Sequence, residues 1–251
     1  MRQFFVLLDR ELKSYFYSPV AYIILCFFLI LTGYLLNITV ALFNGQPHPY
    51  LPFEFFFNNV LFWICYLLTV PLITMRLYSE EFKMGTVETL MTAPVRDGQV
   101  VAAKFAGALL FFMILWAPTA GYFAIFQALT GQQAAGSAGA FVGSYLLVLL
   151  MAMFYLSVGC LASALTQNQI IAAVMTLVGI LIVFFGGLVT VVVPNVSQQL
   201  RDLATYFSSA VHMQDFSRGI IDTRAIVFYL SMTALLQFLT FQVFQYRKWK
   251  F

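Results

Sequence analysis

The chain predicts an all-α polytopic membrane protein with six transmembrane helices, and three observations carry that prediction. Of its 251 residues, 62% are hydrophobic and only 9% are charged, against roughly 45–50% apolar and about 25% charged in a soluble domain. The apolar residues gather in six stretches, near 20–43, 55–74, 105–129, 139–165, 170–193 and 224–246, each matching the roughly 20 residues that cross the hydrocarbon. The Lys and Arg residues sit at the boundaries of these stretches, so the net charge of +3 calls for no nucleic-acid partner. One transmembrane domain is expected to occupy residues 1–251.

Orientation follows from the basic residues. With the N-terminus inside, the cytoplasmic face holds Arg2, Arg10, Lys13, Arg76, Lys83, Arg96, Lys104, Arg247, Lys248 and Lys250, and the outer face only Arg201, Arg218 and Arg224. The excess on one side predicts that the N and C termini are both cytoplasmic.

The first element, residues 1–18, mixes charge with apolar side chains. Phe5, Leu8, Leu12, Tyr15 and Phe16 share a face at helical spacing, which predicts an N-terminal amphipathic interface helix. Pro19 ends it, and the apolar run that follows is too long and lacks the small-residue cleavage site of a signal peptide. The loop NGQPHPYLPFE (44–54) separates spans one and two. Spans three and four are joined by TGQQAAGSA, and four and five by the tight TQNQ.

The polar interruption from Arg76 to Lys104 holds four of the ten acids and four of the thirteen Lys/Arg. Its local signals predict a short helix: Gly85 ends one turn, Thr86 is placed to cap the next, and Glu88 lies in that first turn, where a carboxylate favours the positive helix end. Pro94 then stops it. Charge of both signs between two apolar helices marks a cytoplasmic docking element; the plain alternative is a solvated loop that keeps the helices apart.

Several function classes are disfavoured. No charged side chain falls in the apolar cores as delimited above, whereas proton- and ion-coupled carriers usually keep one there. No strand–GxxxxGK[ST]–helix arrangement is encoded, so no nucleotide site and no cofactor are expected in this chain. His48 and His212 have no carboxylate partner at a suggestive spacing, and Cys26, Cys65 and Cys160 lie far apart in apolar runs. Neither catalytic nor metal-binding residues are expected, and the chain reads as a non-enzyme.

Two further features allow two readings each. Gly139 and Gly143 form a GxxxG in span four, and Gly159 with Ser163 repeats the spacing; such residues let helices approach closely, within one protomer or across a dimer. In the outer connection 194–223, Val196, Leu200, Leu203, Phe207 and Val211 fall on one helical face, as in an amphipathic interfacial helix. Gly219 is placed to end a second helix there and Asp222 to cap span six.

The segment EEFKMGTVETLMTAPV, followed shortly by Lys104, resembles the loop between spans two and three in ABC-2 type transporter permeases, with its paired acid, GT, acid, leucine-rich turn and Pro. ELKSYFYSPVAYI is similar to the entry and first span of that family, and FSRGIIDTRAIVFYLSMT resembles its gliding-motility-associated branch. The resemblance implies the membrane-spanning subunit of an ATP-driven exporter. It implies partners too: two copies of an ABC ATPase subunit that bind ATP and Mg, a second permease, identical or related, and an accessory protein at the periplasm or surface. It further implies a cytoplasmic coupling helix, with Glu80, Glu81, Gly85, Thr86, Glu88 and Pro94 as the ATPase-docking residues, and an external gate at Leu200, Leu203 and Phe207. The implied location is the inner membrane of a bacterial cell. A non-transporting membrane scaffold or force-transmitting subunit is the alternative, and a secondary carrier the third reading.

Overall fold

The computed structural model describes residues 2–43, 50–86, 96–131, 136–192 and 198–248. Eleven helices and no strand occur among them: α1 (Arg2–Phe16), α2 (Pro19–Phe43), α3 (Pro52–Asn58), α4 (Val60–Thr74), α5 (Ser79–Met84), α6 (Asp97–Thr130), α7 (Ala138–Leu165), α8 (Gln169–Val192), α9 (Gln198–Phe207), α10 (Ser209–Ser217) and α11 (Thr223–Lys248). Six helical stretches are long and apolar enough to cross a membrane, and the chain is a multi-pass membrane protein.

α7 is the hub. It packs against α4, α6, α8, α10 and α11, and 72% of its apolar window is buried, against 22% in both α8 and α11. Those two helices and α2 leave broad apolar faces uncovered, including Ile23 and Ile30 on α2, Ile170 and Ile182 on α8, and Val227 and Phe238 on α11. In a bilayer such faces meet acyl chains as apolar as themselves and need no cover.

The second crossing differs from the expected 55–74. Residues 52–58 form a separate short helix, and Asn59 breaks the run with extended backbone at φ −74°, ψ 145°. Its side-chain oxygen accepts from the Leu61 N–H at 2.8 Å, so the crossing helix starts on a proper N-cap at Val60. α3 instead plugs one end of the bundle with Phe53, Phe56 and Phe57, all at 0% exposure, packed on Phe123 and Tyr145.

The third crossing begins at Asp97 rather than Phe105, and this brings Lys104 inside a continuous helix. The connection between spans five and six also departs from expectation. One face from Val196 to Val211 would need an unbroken helix, but extended backbone at Ser208 (φ −79°, ψ 103°) divides it into α9 and α10. Val196 lies outside the described residues. Gly219 follows α10 at φ +86°, and the Asp222 carboxylate accepts from the Arg224 N–H at 2.8 Å at the head of α11.

Candidate functional site

At the end of the bundle that carries α1, the chain leaves α4 and turns through Met75–Tyr78 into the short α5. The start of α5 is held by a neighbour's side chain. Tyr78 N–H (3.1 Å) and Ser79 N–H (3.2 Å) both donate to the Ser163 hydroxyl of α7, which supplies the acceptor that a helix N-terminus lacks. The Ser79 hydroxyl donates back to the Met75 carbonyl. At the other end, Gly85 at φ +69° takes the left-handed turn that only glycine adopts freely.

Glu80 and Glu81 sit in the first turn of α5, where the helix dipole favours negative charge. They point to different partners. Glu80 Oε2 lies 3.3 Å from Arg76 Nε, and Arg76 Nη1 donates to Ser18 Oγ at 2.6 Å, tying α5 to the α1–α2 turn. Glu81 turns inward, its side chain only 13% exposed, and Oε1 lies 2.8 Å from Lys104 Nζ. Lys104 also contacts Glu11 Oε1 at 3.1 Å, and its ammonium lies 5.5 Å from the Tyr78 ring centroid. Arg10 Nη2 approaches the same Glu81 oxygen at 3.6 Å.

Lys104 has 2% of its side chain exposed. A buried ammonium is tolerated only when it is paired and hydrogen-bonded, and here two carboxylates meet it while Arg10 offsets the second negative charge. Lys104, one residue before the apolar core expected at 105–129, is thus buried in α6 and neutralised by α1 and α5. The packing face of α1 changes accordingly. Glu11 is buried at 9% exposure, whereas Phe5 points outward at 64%. α1 can lie this close because of Gly107, where an added Cβ would stand 3.1 Å from Glu11 Cβ. Tyr15 completes the clamp by donating to the Ile73 carbonyl at 3.1 Å.

Of the sequence-predicted docking residues, Glu80, Glu81, Gly85 and Thr86 are thus at this base, with Glu81 committed to an internal ion pair. Glu88 and Pro94 lie outside the described residues. Sequence reasoning missed Arg10, Glu11, Lys104 and Ser163 as one constellation. A signal was there for Glu11, which sits one helical turn from Leu7, Leu8 and Tyr15 and so shares their stripe.

The small residues of α7 serve contacts within the protomer. A Cβ on Gly159 would overlap the Thr74 side chain of α4, and one on Gly143 would stand 3.3 Å from the Phe216 carbonyl oxygen of α10. Gly139 is exposed and meets only Ser137 of its own N-cap.

Away from this base, α7, α10 and α11 meet around a buried polar knot. A Cβ on Gly187 would come within 2.5 Å of Ser208 Cα, so the turn between α9 and α10 rests directly on α8. Ser209 Oγ pairs with Tyr155 OH at 2.7 Å and accepts from Tyr229 OH at 3.2 Å. His212 Nδ1 lies 3.1 Å from Tyr229 OH. Since Tyr229 gives its proton to Ser209, the neutral imidazole must donate from Nδ1. Burial holds the His212 pKa below its usual value, against the opposing pull of Asp215 and Asp222. Of the gate candidates, Phe207 is 40% exposed and packs edge-on against Phe228 at 5.3 Å; the side chains of Leu200 and Leu203 lie outside the described residues.

Six crossing helices, a polar base and no strand among the described residues define an α-helical polytopic membrane protein. A family model described as "ABC-2 family transporter protein" matches residues 71–249, from Pro71 inside α4 through α11, and the chain belongs to that family. As a member it is a membrane component and not itself the ATPase. The search of curated proteins found no match to the chain.

Proposed function

We propose that the chain is the permease subunit of an ATP-driven ABC-2 exporter, in a bacterial inner membrane, with both termini cytoplasmic. In this reading two copies of a separate ATPase subunit bind ATP and Mg and dock at the base around α5 and at the residues that follow it in the chain, Glu88 and Pro94 among them. A second permease, identical or related, completes the membrane pathway. The family match over residues 71–249 carries the proposal.

The base supports a physical route for the stroke. α5 is bonded to α7 through Ser163, to α6 through Lys104, and to α1 through Arg10 and the shared Lys104–Glu11 contact. A displacement of α5 cannot leave these charges behind, because separating a buried pair strands an uncompensated charge at a cost of about 3–5 kcal/mol. Pushing on the segment after Gly85 therefore moves α1, α6 and α7 with it, as rigid elements rather than as a flexing loop.

Glu88→Arg and Gly85→Pro test the docking role. Proline cannot adopt φ +69°, so the second variant re-aims the segment without touching its charges. Both are expected to insert normally and to lose the ATPase in co-purification, at a cost of roughly 2–5 kcal/mol for a docked charge. Retention of the ATPase by both variants at wild-type salt resistance would overturn the assignment.

A further inference from the structure

We propose that His212 is the proton-sensing residue of a latch, and that gaining a proton unseats α10 from α7 and α11. The inference rests on the buried knot and not on the transport reading.

The latch is a short chain of hydroxyls closed by an imidazole. Ser209, in the first turn of α10, pairs with Tyr155 of α7 at 2.7 Å and accepts from Tyr229 of α11 at 3.2 Å. One turn further on, His212 Nδ1 meets the same Tyr229 oxygen at 3.1 Å. α10 is thereby joined to two membrane-crossing helices through one pair of tyrosines. All four residues are buried, His212 the least so at 8% exposure.

α10 is also a discrete body. Before it the backbone is extended at Ser208, and after it Gly219 turns at φ +86°. Residues at the ends of an element absorb the dihedral change of a hinged motion.

A proton finds no partner waiting in the closed knot. Neutral His212 already donates from Nδ1, so the incoming proton goes to Nε2 and makes the ring a cation. Of the elements packed against α10, α7 and α8 carry no charged side chain, and α11 meets the ring through the neutral Tyr229. Glu54 of α3 lies 3.8 Å from Arg218, and the Asp222 carboxylate accepts from the Arg224 N–H. Asp215, one turn along α10, and Asp222 favour the cation, but burial opposes them with the larger effect. A buried charge without a paired neighbour is costly, whereas water solvates it. Acidification therefore favours the state in which α10 has lifted, and an ordinary histidine pKa places that change near neutral pH.

The test is hydrogen exchange of the purified full chain, read by mass spectrometry at about pH 7.5 and about pH 5.5 and corrected for the intrinsic pH dependence of amide exchange. The amides of α10 are expected to exchange faster than those of α7 at both values, because the latch opens without global unfolding. With the open state titrating near 6.5 and the latched state holding no proton, the open fraction rises by up to about tenfold between the two values. The protection of α10 should fall by that factor. His212→Gln, which keeps a polar side chain and takes up no proton, should show the same protection at both. An α10 that exchanges no faster than α7 overturns the proposal, as does equal wild-type protection at the two pH values. An equal fall in His212→Gln overturns it too. The first two outcomes are read on the wild-type protein, so they decide the matter even where the variant does not fold.

Discussion

The hydroxyl of Ser163, buried near the C-terminal end of α7, accepts the backbone N–H of Tyr78 at 3.1 Å and so fixes where α5 begins. Replacing it with Ala leaves two buried N–H groups bare, since Ser79 N–H uses the same oxygen. Ser163→Ala is expected to destabilise the protein by about 1–3 kcal/mol, read as a lower thermal midpoint in detergent. Ser163→Thr, which keeps the oxygen, should recover part of the loss.

Lys104→Met removes the ammonium between Glu11 and Glu81 and leaves two carboxylates facing an apolar chain. The expected loss is about 3–5 kcal/mol, enough to lower the folded yield sharply. The combined Glu11→Leu, Lys104→Met, Glu81→Leu variant should be far more stable than Lys104→Met alone, because no charge is stranded. If the triple variant were the worse of the two, the pairing would not be the reason for the damage.

Gly159→Val places a branched side chain where Thr74 already stands. Overpacking of this kind costs about 1–3 kcal/mol, and Thr74→Ala introduced alongside should restore part of it. Gly139→Val, at an exposed position, serves as the control and is expected to be close to neutral.

The knot around His212 predicts a pH dependence. Burial lowers the folded pKa of His212, so the unfolded chain holds more protons once pH falls below its own value of about 6.5. The neutral form is then the stabilising one: its contribution is fully present above that pH and is lost as pH drops through 6.5 toward the folded value. Thermal midpoints measured from pH 7.5 down to 5.5 should fall for the wild-type protein and fall less for His212→Gln. Parallel curves for the two would remove His212 as the cause.

How much was legible in advance differs from element to element. The spans near 20–43, 139–165 and 224–246 were readable because each is a long apolar run with a cap or proline at its head: Pro19, Ser137 as N-cap of α7, and Asp222. The break at Asn59 was not, because FFFNNVLFW reads as one apolar run, and only the extended backbone there separates α3 from α4. Likewise the stripe 200–211 reads as one helix until Ser208 interrupts it.

What the sequence by itself determined is the class of protein, the number of crossings and the polar segment between spans two and three, since these follow from local composition and the thickness of a bilayer. The partners of charge were decided only by the tertiary structure. Lys104 looks like a boundary residue in the chain, yet it is buried because Glu11, 93 residues before it, and Glu81 converge on its ammonium. Ser163 looks like one more small packing residue, yet it caps a helix 84 positions earlier. Pairing of this kind depends on distance in space, where the cost of a bare buried charge or N–H selects the fold that satisfies it, and no local pattern in the chain records that distance.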